Sequence, residues 1–267
     1  MMQSLANPRK TSDRSVASFI KKKSDERFLN GRKAERSYAR QLKGVARQIN
    51  AIVKAFAPDG NVNDLNSMQS TLTRYAEILR PWARAVGWGM ISEVSRRDEA
   101  AWFAHGNEMG RLLREEIRTA PTGDMLREIL ERQVTLITSL PTEAGQRVHR
   151  LATESLINSS RASEIAAEIM RSGDVAESRA VLIARTETAR CAAGLTQSRA
   201  QFVGSTHYIW HTATDSDVRP GHKAMNGKIF RWDTPPKVEE NGRSMLHGPG
   251  EIWNCRCWAE PIIPDEL

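Results

Sequence analysis

The sequence predicts a mainly α-helical body followed by a small, loop-rich α+β unit. Three observations carry this prediction. Two long stripes of apolar residues recur at helical spacing near the N-terminus. Helix-compatible sequence then continues as far as about residue 202. At Gly204 the character changes to short β-prone runs broken by Asp-Ser-Asp, Pro-Gly, Asn-Gly and Pro-Pro.

The elements follow in order. Residues 1–31 mix Ser, Asn, Lys and Arg with few apolar residues and read as a basic, disordered arm, with at most a short helix around 16–20. A helical domain over 32–174 follows. Its first stripe is Tyr38, Leu42, Val45, Ile49, Ile52 and Phe56, spaced 4, 3, 4, 3, 4. Pro58-Asp59-Gly60 stops it. A second stripe, Leu65, Met68, Leu72, Tyr75 and Leu79, suits an antiparallel partner across that turn. Pro81 starts or kinks the next segment, in which Gly87 and Gly89 allow close packing. Helices are expected at 107–118, 124–139 and 142–158, the last two separated at Pro141-Thr142. Another begins at Ser160 or Arg161 and ends at Ser172-Gly173. The unit over 175–267 opens with a long helix from about Val175 to Phe202, then β-prone runs at His207–His211 and Lys228–Trp232 with an Asn226-Gly227 turn between them. Four of the seven tryptophans fall after Gly204, as the core of a small unit requires.

Composition narrows the function classes. Of 267 residues, 40% are hydrophobic and 27% charged, ordinary values for a soluble protein. No apolar run approaches the ~18 residues of a membrane span, so no membrane partner is expected. The N-terminus shows no secretory leader pattern, and three cysteines do not make a disulfide framework; folding in a reducing cytosol is expected. The net charge of +7 is uneven. Residues 1–54 hold fourteen Lys and Arg against four Asp and Glu, or +10, which leaves −3 for the remainder. Lys21, Lys22, Lys23, Arg27, Arg32, Lys33 and Arg36 form the densest block, a candidate nucleic-acid contact or a solvated tail.

The reactive side chains gather in the C-terminal unit: His211, Asp215 or Asp217, His222, Cys255 and Cys257, with Cys191 and His247 as further candidates. Thiolate and imidazole are good zinc ligands, and His222 with Cys255 and Cys257 is a candidate metal set. Cys-x-Cys is tighter than the usual paired spacing, however, and no second pair exists. The alternative has both cysteines packing as small hydrophobes on a short strand with Arg256 on its other face. A metal-dependent nuclease or hydrolase centred on Asp217, His222 and Cys257 is a further reading. Phosphate-loop, HExxH and GxSxG motifs are missing from the sequence.

Several of these pieces form an ordered set. Arg185-Thr186-Glu187 lies in the long helix, followed by the aromatic run ending at Trp210, Asp217-Val-Arg219-Pro-Gly-His222, the turn at Gly227, Asn254-Cys255-Arg256-Cys257 and Pro261. Over roughly residues 150–262 the chain thereby resembles the phage head-morphogenesis family, the Mu F-like minor head proteins. The resemblance implies a structural, non-enzymatic role in head assembly with no required cofactor. It implies a place in the virion, inside the head or at the portal vertex, after assembly in the host cytoplasm. The implied partners are the portal protein, the major capsid protein or scaffold, and packaged DNA. Arg185 and Glu187 would then tie the last long helix to the small unit.

Overall fold

In the computed structural model, residues 13–56, 64–105, 120–158, 162–213, 215–240 and 242–262 are described. Helix dominates, as expected. The long helices are α1 (Asp13–Ala55), α2 (Leu65–His105), α3 (Gly123–Asn158) and α5 (Ser172–Phe202), with a short α4 (Ala162–Met170) ahead of α5. α2 packs chiefly on α3 and α1 chiefly on α5, and both pairs share one core.

The sequence stripes line that core. Tyr38, Leu42, Val45, Ile49 and Ile52 of α1 are buried, as are Met68, Leu72 and Leu79 of α2, while Phe56, Leu65 and Tyr75 are half-buried beside them. α5 offers mostly small side chains, Ala176, Ala180, Ala184 and Cys191, which let α1 approach closely. Gly87 serves the α2–α3 contact: a Cβ there would lie 2.9 Å from the Cβ of Gln133. Gly89 points into open space.

Three boundaries differ from expectation. Residues 13–31 continue α1 instead of forming a disordered arm; from Asp13 to Asn30 the sequence has neither Pro nor Gly and is rich in good helix formers. Residues 1–12 and the helix expected at 107–118 lie outside the described residues. Pro141 does not separate two helices but sits inside α3. Around it Thr135, Thr138, Ser139 and Thr142 turn their hydroxyls back onto carbonyls of the preceding turn, and apolar residues are buried on both sides of the proline, Ile137 and Leu140 before it and Ala144 and Val148 after it. Ser172 and Gly173 begin α5 instead of ending the helix before it. A Cβ on Gly173 would lie 2.6 Å from Asn50, so α5 starts flush against α1.

The C-terminal unit has two small sheets. β1 (His207–His211) is the middle of an antiparallel three-stranded sheet in the order β2-β1-β5, with β2 at Ile229–Arg231 and β5 at Trp258–Ile262. β3 (Lys237–Glu240) and β4 (Arg243–Leu246) form a hairpin closed by Gly242 at φ 78°. The six-residue α6 (Pro220–Met225) lies against β3. Its core is Tyr208 and Trp210 on the inner face of β1 with Val238, Ile252, Cys255, Cys257 and Ala259.

Leu72 is fully buried where α2 meets the bundle. Leu72→Ala is expected to destabilise the chain by about 2–5 kcal/mol, read as a lowered denaturation midpoint at unchanged m-value.

Candidate functional site

The sequence motifs meet where α5 touches the small unit. Arg185 and Thr186 do the joining. The Arg185 guanidinium donates from Nε to Glu35 of α1 at 3.1 Å and from Nη1 to Asn254 Oδ1 at 2.9 Å. The Asn254 backbone N–H donates to Thr186 Oγ1 at 3.0 Å. Asn254 has φ 59°, a left-handed conformation that costs most side chains energy and that Asn tolerates best after Gly. Its side chain and backbone are thus gripped from one helix turn, and the chain direction into Cys255 is set.

Glu187 works on the opposite flank. It is buried, and its carboxylate accepts from Arg132 Nε at 2.9 Å, Gln133 Nε2 at 2.8 Å and Arg190 Nη1 at 2.9 Å. Gln133 in turn accepts from the Tyr38 hydroxyl at 2.9 Å. Glu187 therefore ties α5 to α3 and α1, and reaches the small unit through Arg190, which donates to the Glu251 carbonyl. Arg185 is the direct tie to the small unit.

Cys255 and Cys257 stand just before β5, not on a strand, and both are buried. Arg256 points away from them and holds Asp215 at 2.8 Å and Asp217 at 3.2 Å. His222 is brought to the sulfurs by α6. Pro220 begins that short helix, and Gly221 lets it press on β3, where a Cβ would lie 2.4 Å from the Glu239 carbonyl. His222 Nδ1 lies 3.2 Å from Cys257 Sγ and 3.5 Å from Cys255 Sγ. On its other side Nε2 meets the Glu240 carboxylate. Glu240 is itself buried, paired with Arg219 Nε at 3.2 Å and faced by His247 Nε2 at 3.8 Å. Arg219 also donates to the Trp253 carbonyl at 3.0 Å, which fixes the turn ahead of Asn254.

This setting polarises the thiols. The Cys257 thiol donates toward Cys255, and, despite burial, this and the contact with His222 draw Cys255 down to about 4. Cys257 is pushed up by the hydrogen bond it gives Cys255, then by burial and by its neighbour's charge. Burial presses His222 down, but Cys255 and Glu240 together outweigh it and raise its pKa. A cleft of about 50 Å³ opens over the group, lined by Asp217, Arg219, His222, Asn254, Cys255 and Cys257.

The remaining candidates sit elsewhere. Cys191 is buried in the helical core, where burial pushes its thiol up to about 12. His211 pairs with Glu260 at 2.7 Å and stacks on Trp258. Trp210 packs edge-on against His222, and Gly227, at φ 76°, ends α6 by donating to the Trp210 carbonyl. Lys33 and Arg36 are exposed on α1 and Arg32 is half-buried; the side chains of Lys21, Lys22, Lys23 and Arg27 lie outside the described residues. Sequence reasoning missed Glu240. Its signal was the alternation Lys-Val-Glu-Glu, which puts Glu240 on the same buried face as Val238.

Comparison with known proteins agrees with this geography. Residues 146–260 match the family model described as Phage Mu protein F like protein, a stretch that runs from the end of α3 through β5. The chain is 28% identical over 158 residues to an uncharacterized protein of Haemophilus influenzae, covering 59% of this chain and 34% of that one. It is 26% identical over 168 residues to minor head protein GP7 of Bacillus phage SPP1, covering 56% of this chain and 53% of that one. The chain thus spans between a third and about half of the length of these relatives. No solved structure matches it.

Two substitutions separate the roles of the clamp. Glu187→Ala strips three donors of their buried acceptor and is expected to cost about 3–5 kcal/mol, seen as loss of soluble protein or a large fall in denaturation midpoint. Thr186→Val removes the acceptor for Asn254 and is expected to cost about 1–3 kcal/mol, while raising amide exchange around 252–257 more than in the helical body.

Proposed function

We propose, from the match of residues 146–260 to the family model described as Phage Mu protein F like protein, that the chain is a structural minor head protein, built into a phage-type head at the portal vertex or on the inner wall. The match over the clamp and the small unit carries this reading, supported by the likeness to a phage minor head protein. The architecture is consistent with it. The motif residues are spent on joining: Arg185, Thr186 and Glu187 connect α1, α3, α5 and the turn at Asn254. Large apolar side chains also stand exposed on α2 at Ile78, Trp82 and Trp88. Exposed apolar clusters of this kind suit a chain that assembles with other proteins, here the portal protein and the major capsid protein or scaffold.

DNA contact is the second part of the proposal. The +10 of residues 1–54 is carried on α1 and the segment before it, and Lys33, Arg36, Arg40 and Arg47 are exposed along that helix. Such a cationic rod binds phosphates through counterion release, without reading sequence. Among the described residues no helix is long and apolar enough to cross a membrane.

Two measurements test this reading. Arg185→Ala is expected to lower incorporation of the chain into assembled heads, scored by gel analysis of purified particles, and normal incorporation would argue against the clamp's assembly role. Binding of duplex DNA by the full chain should fall steeply with salt, and deletion of residues 1–31 should flatten that slope; salt-insensitive binding would indicate a protein-directed arm instead.

A further inference from the structure

The buried group formed by His222, Cys255 and Cys257 has more order than a packing role needs. Its three donor atoms, one imidazole nitrogen and two sulfurs, all lie within 4.8 Å of one another. The Nδ1–Sγ separations of 3.2 and 3.5 Å are close to the N–S edge of a tetrahedral site, about 3.5 Å for a Zn–N bond of about 2.0 Å and a Zn–S bond of about 2.3 Å. The other imidazole nitrogen is held by a buried carboxylate, Glu240. That is the arrangement which fixes a histidine tautomer so that the opposite nitrogen's lone pair faces a metal.

Charge balance points the same way. Arg219 offsets Glu240, and ligation, which releases protons from the ligands, would leave two thiolates and a neutral imidazole in a buried space. A dication matches them. Trp210 adds a buried indole N–H beside the Cys257 sulfur in this same core, a donor that favours negative charge there. A lone nucleophilic cysteine explains the set less well: it needs one exposed sulfur, whereas here two buried sulfurs face one nitrogen.

We propose that His222 Nδ1, Cys255 Sγ and Cys257 Sγ bind a zinc ion, with Glu240 as the positioning residue that orients His222 and Arg219 holding Glu240 in turn. Three protein ligands leave a fourth position, which faces the cleft lined by Asp217, Arg219 and Asn254. Thiolate and imidazole together select zinc over the hard cations magnesium and calcium. The ion ties α6 to the segment entering β5, two pieces of chain more than thirty residues apart, and staples a unit too small to rely on its core alone. The assignment rests on this geometry and stands whether or not the chain is a head protein.

The test is metal content of the full chain purified without chelator. About one zinc per chain is expected, with most of it lost in His222→Ala and in Cys257→Ser. Glu240→Gln should keep the site but weaken zinc affinity by roughly 10–100-fold. Cobalt substitution should give an intense thiolate-to-cobalt charge-transfer band and strong tetrahedral visible bands. Where a ligand variant does not fold, titration of the unaltered chain with a thiol-selective mercurial replaces it: release of the zinc as the two thiols are consumed supports the site, and zinc that stays bound overturns it. A chain isolated without zinc that takes up no cobalt, and whose Cys255 alkylates readily with iodoacetamide, overturns the proposal.

Discussion

Asn254 is where the two halves of the molecule are made into one. Its backbone adopts a left-handed conformation, and Arg185 grips its side chain while Thr186 accepts its N–H. Every feature downstream inherits that choice. The chain leaves Asn254 into Cys255, presents both sulfurs to one side and Arg256 to the other, and enters β5 in register with β1. Upstream, Arg185 also reaches Glu35, so the same guanidinium that sets the loop holds the first helix against the last. One helical turn thereby serves both flanks: Arg185 and Thr186 hold Asn254, and Glu187 accepts from Arg132, Gln133 and Arg190.

The helical body was legible because its physics is periodic. The Tyr38–Phe56 and Leu65–Leu79 stripes needed only spacing to be found, and they line the core. The breakers were less reliable. Pro141 reads as a boundary in isolation, yet α3 runs through it, because tertiary packing buries Ile137 and Leu140 before it and Ala144 and Val148 after it. The two Asn-Gly pairs show the same limit. Asn226-Gly227 reads as a turn, whereas the β3–β4 hairpin, with Gly242 at its turn, was not singled out in the sequence. Its flanking strands are only four residues each, with Val238, Met245 and Leu246 their only apolar residues, too short for alternation to reveal them.

The site was half visible for a related reason. Cysteine and histidine announce themselves by type, so His222, Cys255 and Cys257 could be grouped before their positions were known. Glu240 could not. Glutamate is common on surfaces, and only strand alternation places this one in the interior beside Arg219 and His222. The cysteines were expected on a strand, but they precede β5, and both sulfurs still face His222.

The pairing of α1 with α5 has a consequence for how the chain comes into being. Glu35 and Arg185 are 150 residues apart, and the apolar face of α1 is covered chiefly by α5. During synthesis the first helix therefore emerges long before the surface that covers it. Contacts of such high sequence separation form late and leave apolar surface open in the meantime. α2 shields only part of it, so the nascent protein spends most of its translation with an uncovered stripe, and a binding partner or chaperone that meets it then can act on a form the finished fold no longer displays.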